Sequence, residues 1–212
     1  MFPASRIQAM EQPRLVIATN NPGKVVEFRD LLTGCGWEVV APADAGVSID
    51  VDETGSTYAE NARIKAEAFC RATGLPAIAD DSGLEVDALN GEPGPLHHLK
   101  GWDGDNDVKR VEILLAAIKD VPEAERTGRF FSVIVVALPD GSAIEEQGVI
   151  EGRIAFEPAG TTGWGYDPVF VLPDRGVTMA QLSEGEKNRI SHRGIAFAKM
   201  QRRLQTLAAS SA

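Results

Sequence analysis

Residues 19–24, which read TNNPGK, combine the residue types of an anion-binding turn. They follow a short apolar run and precede a helical pattern, so free backbone N–H groups and the positive end of the helix dipole would face a ligand there. The glycine would let a phosphate approach the backbone, and Lys24 would add a positive charge. The segment is not a Walker A loop, because Ala18 and Val25 stand where that motif requires a glycine and a Ser or Thr. An ordinary turn with a solvated lysine is the alternative.

Carboxylates concentrate in two other places along the chain. Asp80 and Asp81 end a predicted strand, and Asp52 and Glu53 lie in a loop before a predicted helix. Ligands of α/β proteins collect at strand ends, and several carboxylates brought together favour a hard cation such as Mg²⁺, which also suits phosphate oxygens. One carboxylate could take a proton from an attacking water. Each pair could equally be a solvated acidic turn.

Two later segments combine glycine, aromatic and basic residues. Residues 160–168 read GTTGWGYDP, and three glycines make them a poor core segment. A flat ring could stack on Trp164 while Asp167 reads its polar edge. Lys187 and residues 191–193, which read SHR, place a basic cluster at the start of the last helix, where phosphate or carbonyl oxygens would bind. A glycine-rich turn and a solvated helix end are the alternatives.

The elements that must position these residues alternate between strands and helices, which predicts an α/β protein with a mixed sheet. Strands are predicted over residues 14–19, 37–40, 75–79, 84–86 and 130–138, with a hairpin turn at 139–141 into a strand over 143–150. Helices are predicted over residues 24–32, 57–72 and 105–119, from 183, and from 191 onward.

Two of these helices carry further expectations. In the helix predicted over residues 57–72, Thr57 and Glu60 have the form of a capping box, and Asn61 and Lys65 share a face that could point at the cleft or at solvent. In the helix predicted over residues 105–119, an apolar face is expected from Val108, Val111, Leu114, Leu115 and Ile118.

The bulk composition limits the classes of protein. With 212 residues and 43% apolar content, the chain fits one domain, predicted over residues 13–210 after a disordered extension at 1–12. The net charge of −10 argues against a nucleic-acid polymer as partner. Cys35 and Cys70 lack metal-ligand spacing, and no signal peptide or membrane span is evident, so we expect a reduced, cytoplasmic protein.

Together these residues resemble the inosine triphosphate pyrophosphatase family, also called the XTP/dITP diphosphatases. The resemblance extends from about Arg14 to Leu204. It depends on TNNPGK (19–24), DETG (52–55), ENA with a following lysine (60–65), ADDSGL (79–84), EPAGTTGWGYDP (157–168) and EK..ISHRG (186–194). Each fragment is weak alone, but together in the family's order they are highly specific.

The resemblance implies a fold, a reaction and an assembly. The fold would be a long mixed central β-sheet flanked by helices, with two lobes and the active-site cleft between them. The reaction would be the Mg²⁺-dependent hydrolysis of aberrant purine nucleoside triphosphates, namely ITP, dITP and XTP, to the nucleoside monophosphate and pyrophosphate. The chain would form a homodimer.

The resemblance also implies roles for individual residues. Asp81 would activate water with Lys24 and Lys65 as further catalytic residues, and Glu53 and Asp81 would bind the metal, whereas the part of Asp52 and Asp80 in metal binding stays open. The implied substrate-binding residues are Thr19, Asn20, Asn21, Pro22, Gly23, Lys24, Ser82, Trp164, Gly165, Tyr166, Asp167, Lys187, His192 and Arg193. A donor on His192 or Arg193 would read the 6-oxo group of the base, while the means of rejecting GTP at the 2-position is not evident.

The chain departs from the family pattern at two places. Trp164 replaces the usual phenylalanine, and a larger ring should still stack. Residues 93–102 lack the arginine and tyrosine common in bacterial relatives, so we expect Lys100 or a histidine in the basic role and Trp102 as the aromatic residue.

Two other functions compete with this interpretation. The chain could be a triphosphate pyrophosphatase of the septum-formation-inhibitor type, which acts on modified pyrimidines. It could also be a nucleotide-binding module without turnover, although the carboxylates Glu53, Asp80 and Asp81 argue against that.

Overall fold

The computed structural model describes residues 12–96 and 106–210, which contain a seven-stranded sheet and five helices. The predicted extension at 1–12 lies, except for Gln12, outside the described residues. The strands are β1 (Arg14–Ile17), β2 (Glu38–Val40), β3 (Ala77–Val86), β4 (Thr127–Ala137), β5 (Ala143–Ile154), β6 (Phe170–Leu172) and β7 (Val177–Thr178). The helices are α1 (Pro22–Leu31), α2 (Tyr58–Thr73), α3 (Asp107–Ala117), α4 (Glu184–Ile190) and α5 (His192–Ser210).

The sheet is mixed, as predicted, with the strand order β2-β1-β3-β4-β5-β6-β7. β1 lies parallel to β2 and β3, whereas each later pair from β3–β4 to β6–β7 is antiparallel. The hairpin predicted at residues 139–141 joins β4 to β5 and is confirmed. The sheet therefore has a short parallel part around β1 and a long antiparallel part.

The strand prediction around Asp80 and Asp81 is wrong in one respect. β3 is a single strand of 10 residues, so both carboxylates lie inside it and not at its end. β3 pairs with β1 only at Ala77 and Ile78 but pairs with β4 along its full length. Because β4 supplies partners to the polar segment, the strand continues through residues that have low strand propensity. The strand that does end here is its neighbour β1.

Asp80 and Asp81 consequently point to opposite faces of the sheet, since successive side chains of a strand alternate. On one face, Ile78 and Ile134 pack with residues of α1 and α5 in a core cluster. On the other face, Ala79 and Val133 pack with residues of α2. Asp80 lies opposite Ile134 and Asp81 opposite Val133, which assigns each aspartate to its face.

Other differences from the predictions are local. Val108 on α3 is 68% exposed, so it does not belong to the buried apolar face, unlike Val111 and Leu114. Thr57 caps α2 as predicted, and the Glu60 side chain accepts from the Ser56 backbone N–H and hydroxyl. The short strands β6 and β7 were not predicted, because two or three residues carry too little periodicity to be recognised.

Within the described residues, none of the helices combines the length and apolarity needed to cross a membrane. Cys35 and Cys70 are both buried and form no disulfide.

Candidate active site

The loop between β1 and α1 is held by its two asparagines. The Asn21 side chain caps α1 and accepts from the backbone N–H groups of Gly23 (2.8 Å) and Lys24 (3.3 Å). Asn20 donates to the carbonyl of Ile49 and to Asp50, which ties the loop to the segment that precedes Glu53. The expectation that these N–H groups are free is therefore wrong, because the Asn21 cap satisfies them.

Lys24 points across the cleft to Asp80. Its Nζ lies 2.9 Å from Asp80 Oδ1, while the other carboxylate oxygen, Oδ2, accepts from Arg193 Nε at 3.0 Å. Burial alone would raise the pKa of Asp80, but the charges of Lys24, Arg193 and Lys65 outweigh it and hold that pKa well below its usual range. One buried carboxylate thus joins the first turn of α1 to the start of α5.

On the opposite face of the sheet, Lys65 lies between two carboxylates. Its Nζ is 2.7 Å from Glu53 Oε2 and 3.3 Å from Asp81 Oδ1, so the helix face carrying Lys65 points into the cleft and not at solvent. The pKa of Asp81 is raised to about 6. Burial is the main cause, the negative charges of Glu53 and Asp80 add to the increase, and the charge of Lys65 opposes it. Asp52 is exposed.

The carboxylates suit a hard cation. No group of three His, Cys, Asp or Glu side chains in the described part of the chain is arranged to hold a metal. Mg²⁺, however, is usually bound by one or two carboxylates together with substrate phosphates, so Glu53 and Asp81 are the residues that could hold it. Burial is the main cause of the raised pKa of Asp81, and the negative charges of Glu53 and Asp80 add to it; a divalent cation would offset those charges.

The two faces meet beyond the end of β1. A cavity of about 320 Å³ there is lined by residues from both sides, among them Asn20, Lys24, Glu53, Lys65 and Asp80. Because β1 ends at Ile17 while β3 continues, groups on either face of β3 can reach the same space. The cavity is therefore lined by both lysines and by carboxylates.

A second pocket lies beside the glycine-rich loop on the α5 face. Arg193 lies over the Trp164 ring at 5.0 Å, and the indole is 47% exposed. Lys187 Nζ is paired with Asp167, which also accepts from the backbone N–H of Trp164 at 3.0 Å. These contacts fold the loop around its aromatic residues and leave part of the Trp164 surface accessible to a ligand.

His192 is buried at the start of α5 and stacks on Phe130, with ring centroids 4.7 Å apart. Burial lowers the pKa of His192 well below 6.5, and the charges of Arg193 and Lys187 lower it further. Its Nδ1 is buried without a hydrogen-bond partner among the described residues. A neutral imidazole here can offer one donor and one acceptor to a ligand.

The structure brings most of the predicted residues to three neighbouring pockets. The cavity beyond β1 is lined by Thr19, Asn20, Asn21, Lys24, Glu53 and Lys65, and a further pocket that extends from Lys24 to Trp164 is lined also by Gly23. The pocket beside the loop is lined by Ser82, Trp164, Gly165, Tyr166, Asp167, Lys187, His192 and Arg193. Asp81 is not among the residues that line these three pockets, but it contacts Lys65. Pro22 is the first residue of α1. The roles expected for Lys100 and Trp102 lie outside the described residues.

Sequence reasoning missed three groups that contact these residues. Glu27 on α1 accepts from Arg193 Nη1 through both oxygens, at 3.1 and 2.9 Å. Asp107 accepts from the Gly165 N–H, and Arg110 lines the pocket from α3. Glu27 follows Lys24 by nearly one helical turn, a spacing that could have placed it on the same side of α1.

The fold and the cleft place the chain among α/β proteins in which paired basic and acidic side chains lie beyond the end of an interior strand of a mixed sheet. A model of the Ham1 family matches residues 15–203. A dITP/XTP pyrophosphatase from Symbiobacterium thermophilum is 51% identical over 199 residues, which cover 93% of this chain and 98% of that protein.

Solved structures agree with the family match. A HAM1 protein from Coxiella burnetii has a TM-score of 0.83 at 37% identity, covering 92% of this chain and 99% of its own. The Ham1 protein of Staphylococcus aureus has a TM-score of 0.82 at 39% identity, with the same coverage of 92% and 99%. The chain belongs to the Ham1 family, and both the resemblance found in the motifs and the implied fold are confirmed.

Proposed function

We propose that this chain hydrolyses the aberrant purine nucleoside triphosphates ITP, dITP and XTP to the nucleoside monophosphate and pyrophosphate. The observation that carries the proposal is the Asp80 side chain. One of its oxygens accepts from Lys24 in the first turn of α1 and the other from Arg193, which lies against Trp164 of the glycine-rich loop. A triphosphate held near Lys24 would place its base beside Trp164. The Symbiobacterium thermophilum relative, a dITP/XTP pyrophosphatase, supports the same reaction here.

In the proposed mechanism, Asp81 accepts a proton from the water that attacks the α-phosphorus, and pyrophosphate leaves. Without bound metal the pKa of Asp81 is about 6, so this carboxylate is ionised at neutral pH and able both to hold a cation and to accept a proton. Lys24 and Lys65 approach the cavity from opposite faces of the sheet. Their charges would stabilise the negative charge that develops on the phosphate oxygens.

Glu53 and Asp81 would hold Mg²⁺, which when bound supplies positive charge to the phosphate oxygens. Lys65 contacts both carboxylates and is therefore within reach of the same phosphate oxygens. From the family resemblance we further propose a homodimer, and from the sequence composition a cytoplasmic protein with residues 13–210 folded as one domain.

The test is pyrophosphate release from ITP, XTP, dITP, GTP, ATP and a pyrimidine triphosphate, with Mg²⁺ and after chelation. We expect ITP, XTP and dITP to be preferred, and Asp81→Asn to lower kcat by about 10²–10⁴, the usual contribution of a general base. The matched control is Asp174→Asn, which changes an exposed aspartate. Equal rates with ITP and ATP, or an unimpaired Asp81→Asn variant, would contradict the proposal.

The same panel addresses the competing functions. A preference for the pyrimidine triphosphate would indicate the septum-formation-inhibitor type, and binding of ITP without pyrophosphate release would indicate a module without turnover. The relatives described above do not favour either of these functions.

A further inference from the structure

A basic side chain from α3 lines the pocket beside the aromatic loop. Arg110, in the first turn of α3, lines this pocket together with Trp164, Tyr166 and His192. Its guanidinium carbon lies 5.6 Å from the centroid of the Tyr166 ring, and its side chain is only 18% exposed. The guanidinium is therefore held against the loop where a base would bind.

Local contacts fix the position of Arg110. Its Nη1 lies 3.6 Å from Asp107 Oδ1, and Asp107 Oδ2 accepts from the Gly165 N–H at 3.0 Å. A Cβ atom added to Gly165 would lie 3.6 Å from the same Nη1, so the guanidinium lies within van der Waals contact of the position of that atom. The first turn of α3 and the loop thus form one unit around the pocket.

The other basic side chains of the pocket, like Arg110, have partners within the protein. Arg193 donates through Nη1 to Glu27, through Nε to Asp80 and through Nη2 to Ser82. Lys187 is paired with Asp167. Arg193 lies against Trp164 and Arg110 against Tyr166, so the two guanidinium groups approach different positions along the loop.

We propose that Arg110 is a specificity-determining residue that reads the 2-position of the purine base, an inference that rests on the proposed function. A guanidinium has only hydrogen-bond donors. It would donate to the 2-oxo group of xanthine, meet only a hydrogen atom in hypoxanthine, and face the 2-amino group of guanine, which is itself a donor. Arg110 thereby favours XTP over ITP and disfavours GTP, which shares the 6-oxo group with both.

The experiment measures equilibrium binding of XMP, IMP and GMP by calorimetry, so it does not depend on turnover. Arg110→Met should weaken the binding of XMP by about tenfold or more, the usual contribution of a hydrogen bond to a charged group, while the affinity for IMP changes by less than about threefold. Arg110→Gln should bind GMP more tightly than Arg110→Met does, because its amide oxygen can accept from the 2-amino group.

Lys109→Met is the matched control, since Lys109 neighbours Arg110 on α3 but is not among the residues that line the pocket. Equal weakening of XMP, IMP and GMP in Arg110→Met would show a structural role only and overturn the proposal, as would an unchanged XMP-to-GMP ratio. If Arg110→Met does not fold, Arg110→Lys, which keeps the charge but loses the planar fork, must still narrow that ratio.

Pyrophosphate release from ITP by the unaltered protein separates the two proposals. Selective XMP binding that depends on Arg110, without any turnover, would overturn the proposed function and uphold the role of Arg110. Turnover of ITP together with a ratio of XMP to GMP affinity that does not depend on Arg110 would uphold the proposed function and overturn the role of Arg110.

Discussion

At the scale of single residues, two neighbouring aspartates have opposite pKa shifts. Both are buried, which by itself raises the pKa of a carboxyl group. Asp80 faces Lys24 and Arg193, and their charges lower its pKa despite burial, whereas Asp81 has Lys65 nearby and keeps a raised pKa of about 6. Because the strand alternates its side chains, one residue can serve as a permanent anion that positions two cations and the next as a base.

His192 gives a prediction about stability and pH. Its pKa is well below 6.5 in the folded protein because it is buried and lies near Arg193 and Lys187. The unfolded chain therefore binds a proton near pH 6.5 when the folded chain does not, so this residue makes stability fall as the pH drops below about 6.5. His192→Gln should remove this part of the fall in stability at low pH, because glutamine does not bind a proton in this range.

The measurement is the free energy of urea unfolding of both proteins between pH 8.5 and 5.5. The advantage of the unaltered protein over His192→Gln should be constant from pH 8.5 to 7.5 and then shrink by up to about 1.4 kcal/mol per pH unit below 6.5. An advantage that stays constant down to pH 5.5 would show that His192 titrates alike in both states.

At the scale of elements, the position of His192 and Arg193 depends on how closely α5 approaches the sheet. Gly148 on β5 lies against the backbone of α5, and a Cβ atom added there would collide with the carbonyl oxygen of His192 and lie 2.7 Å from the Ala196 nitrogen. The start of α5 carries both His192 and Arg193. The absence of a side chain at Gly148 thus allows the start of α5, with His192 and Arg193, to lie directly against β5.

We expect Gly148→Ala to push α5 away from the sheet, destabilising the protein by about 1–3 kcal/mol, the usual cost of overpacking, and lowering kcat/KM for ITP. Urea unfolding and pyrophosphate release measure the two effects. Gly185→Ala is the control, because a Cβ atom on this helical glycine meets only Arg189 Nη1 at 3.9 Å. Equal stability of the two variants would refute the close-approach argument.

The elements also show how far the sequence predicts this fold. The apolar run before residue 19, the Thr57 cap and the hairpin at 139–141 are local signals, and the structure contains each of them. The sequence predicts two strands where β3 is one, because Asp80–Asp81 has low strand propensity; in the structure, pairing with β4, a long-range contact, carries the strand through these residues.

The site shows the same division between local and long-range information. The motifs predicted site roles for Lys24, Asp81 and His192 from residue type and spacing; Lys24 and His192 line the pockets, and Asp81 contacts Lys65, which lines the cavity beyond β1. Arg110 could not be found that way, because nothing in the pattern of α3 says which loop its first turn will contact. The Asn21 cap was also missed, although an asparagine before Pro-Gly is a recognisable helix start.

At the scale of the whole molecule, the candidate site joins two halves of the core. Lys24, Asp80 and Arg193 belong to the face packed by α1 and α5, while Lys65 and Asp81 belong to the face packed by α2. The net charge of −10 opposes an anionic substrate at long range, so attraction must come from the cations gathered in the cleft.

A nucleoside triphosphate should therefore stabilise the protein more than either of its parts does, because it alone contacts both pockets at once. In the presence of Mg²⁺, a non-hydrolysable ITP analogue at a hundred times its Kd should add about 2.7 kcal/mol, or roughly 5–10 °C in Tm for a chain of this size. IMP or pyrophosphate at the same concentration should give smaller shifts, since each engages one pocket and lacks the gain from linkage. Thermal unfolding with the matching ATP analogue is the control. A shift from the ITP analogue no larger than that from pyrophosphate would mean that the pocket beside Trp164 contributes nothing to binding.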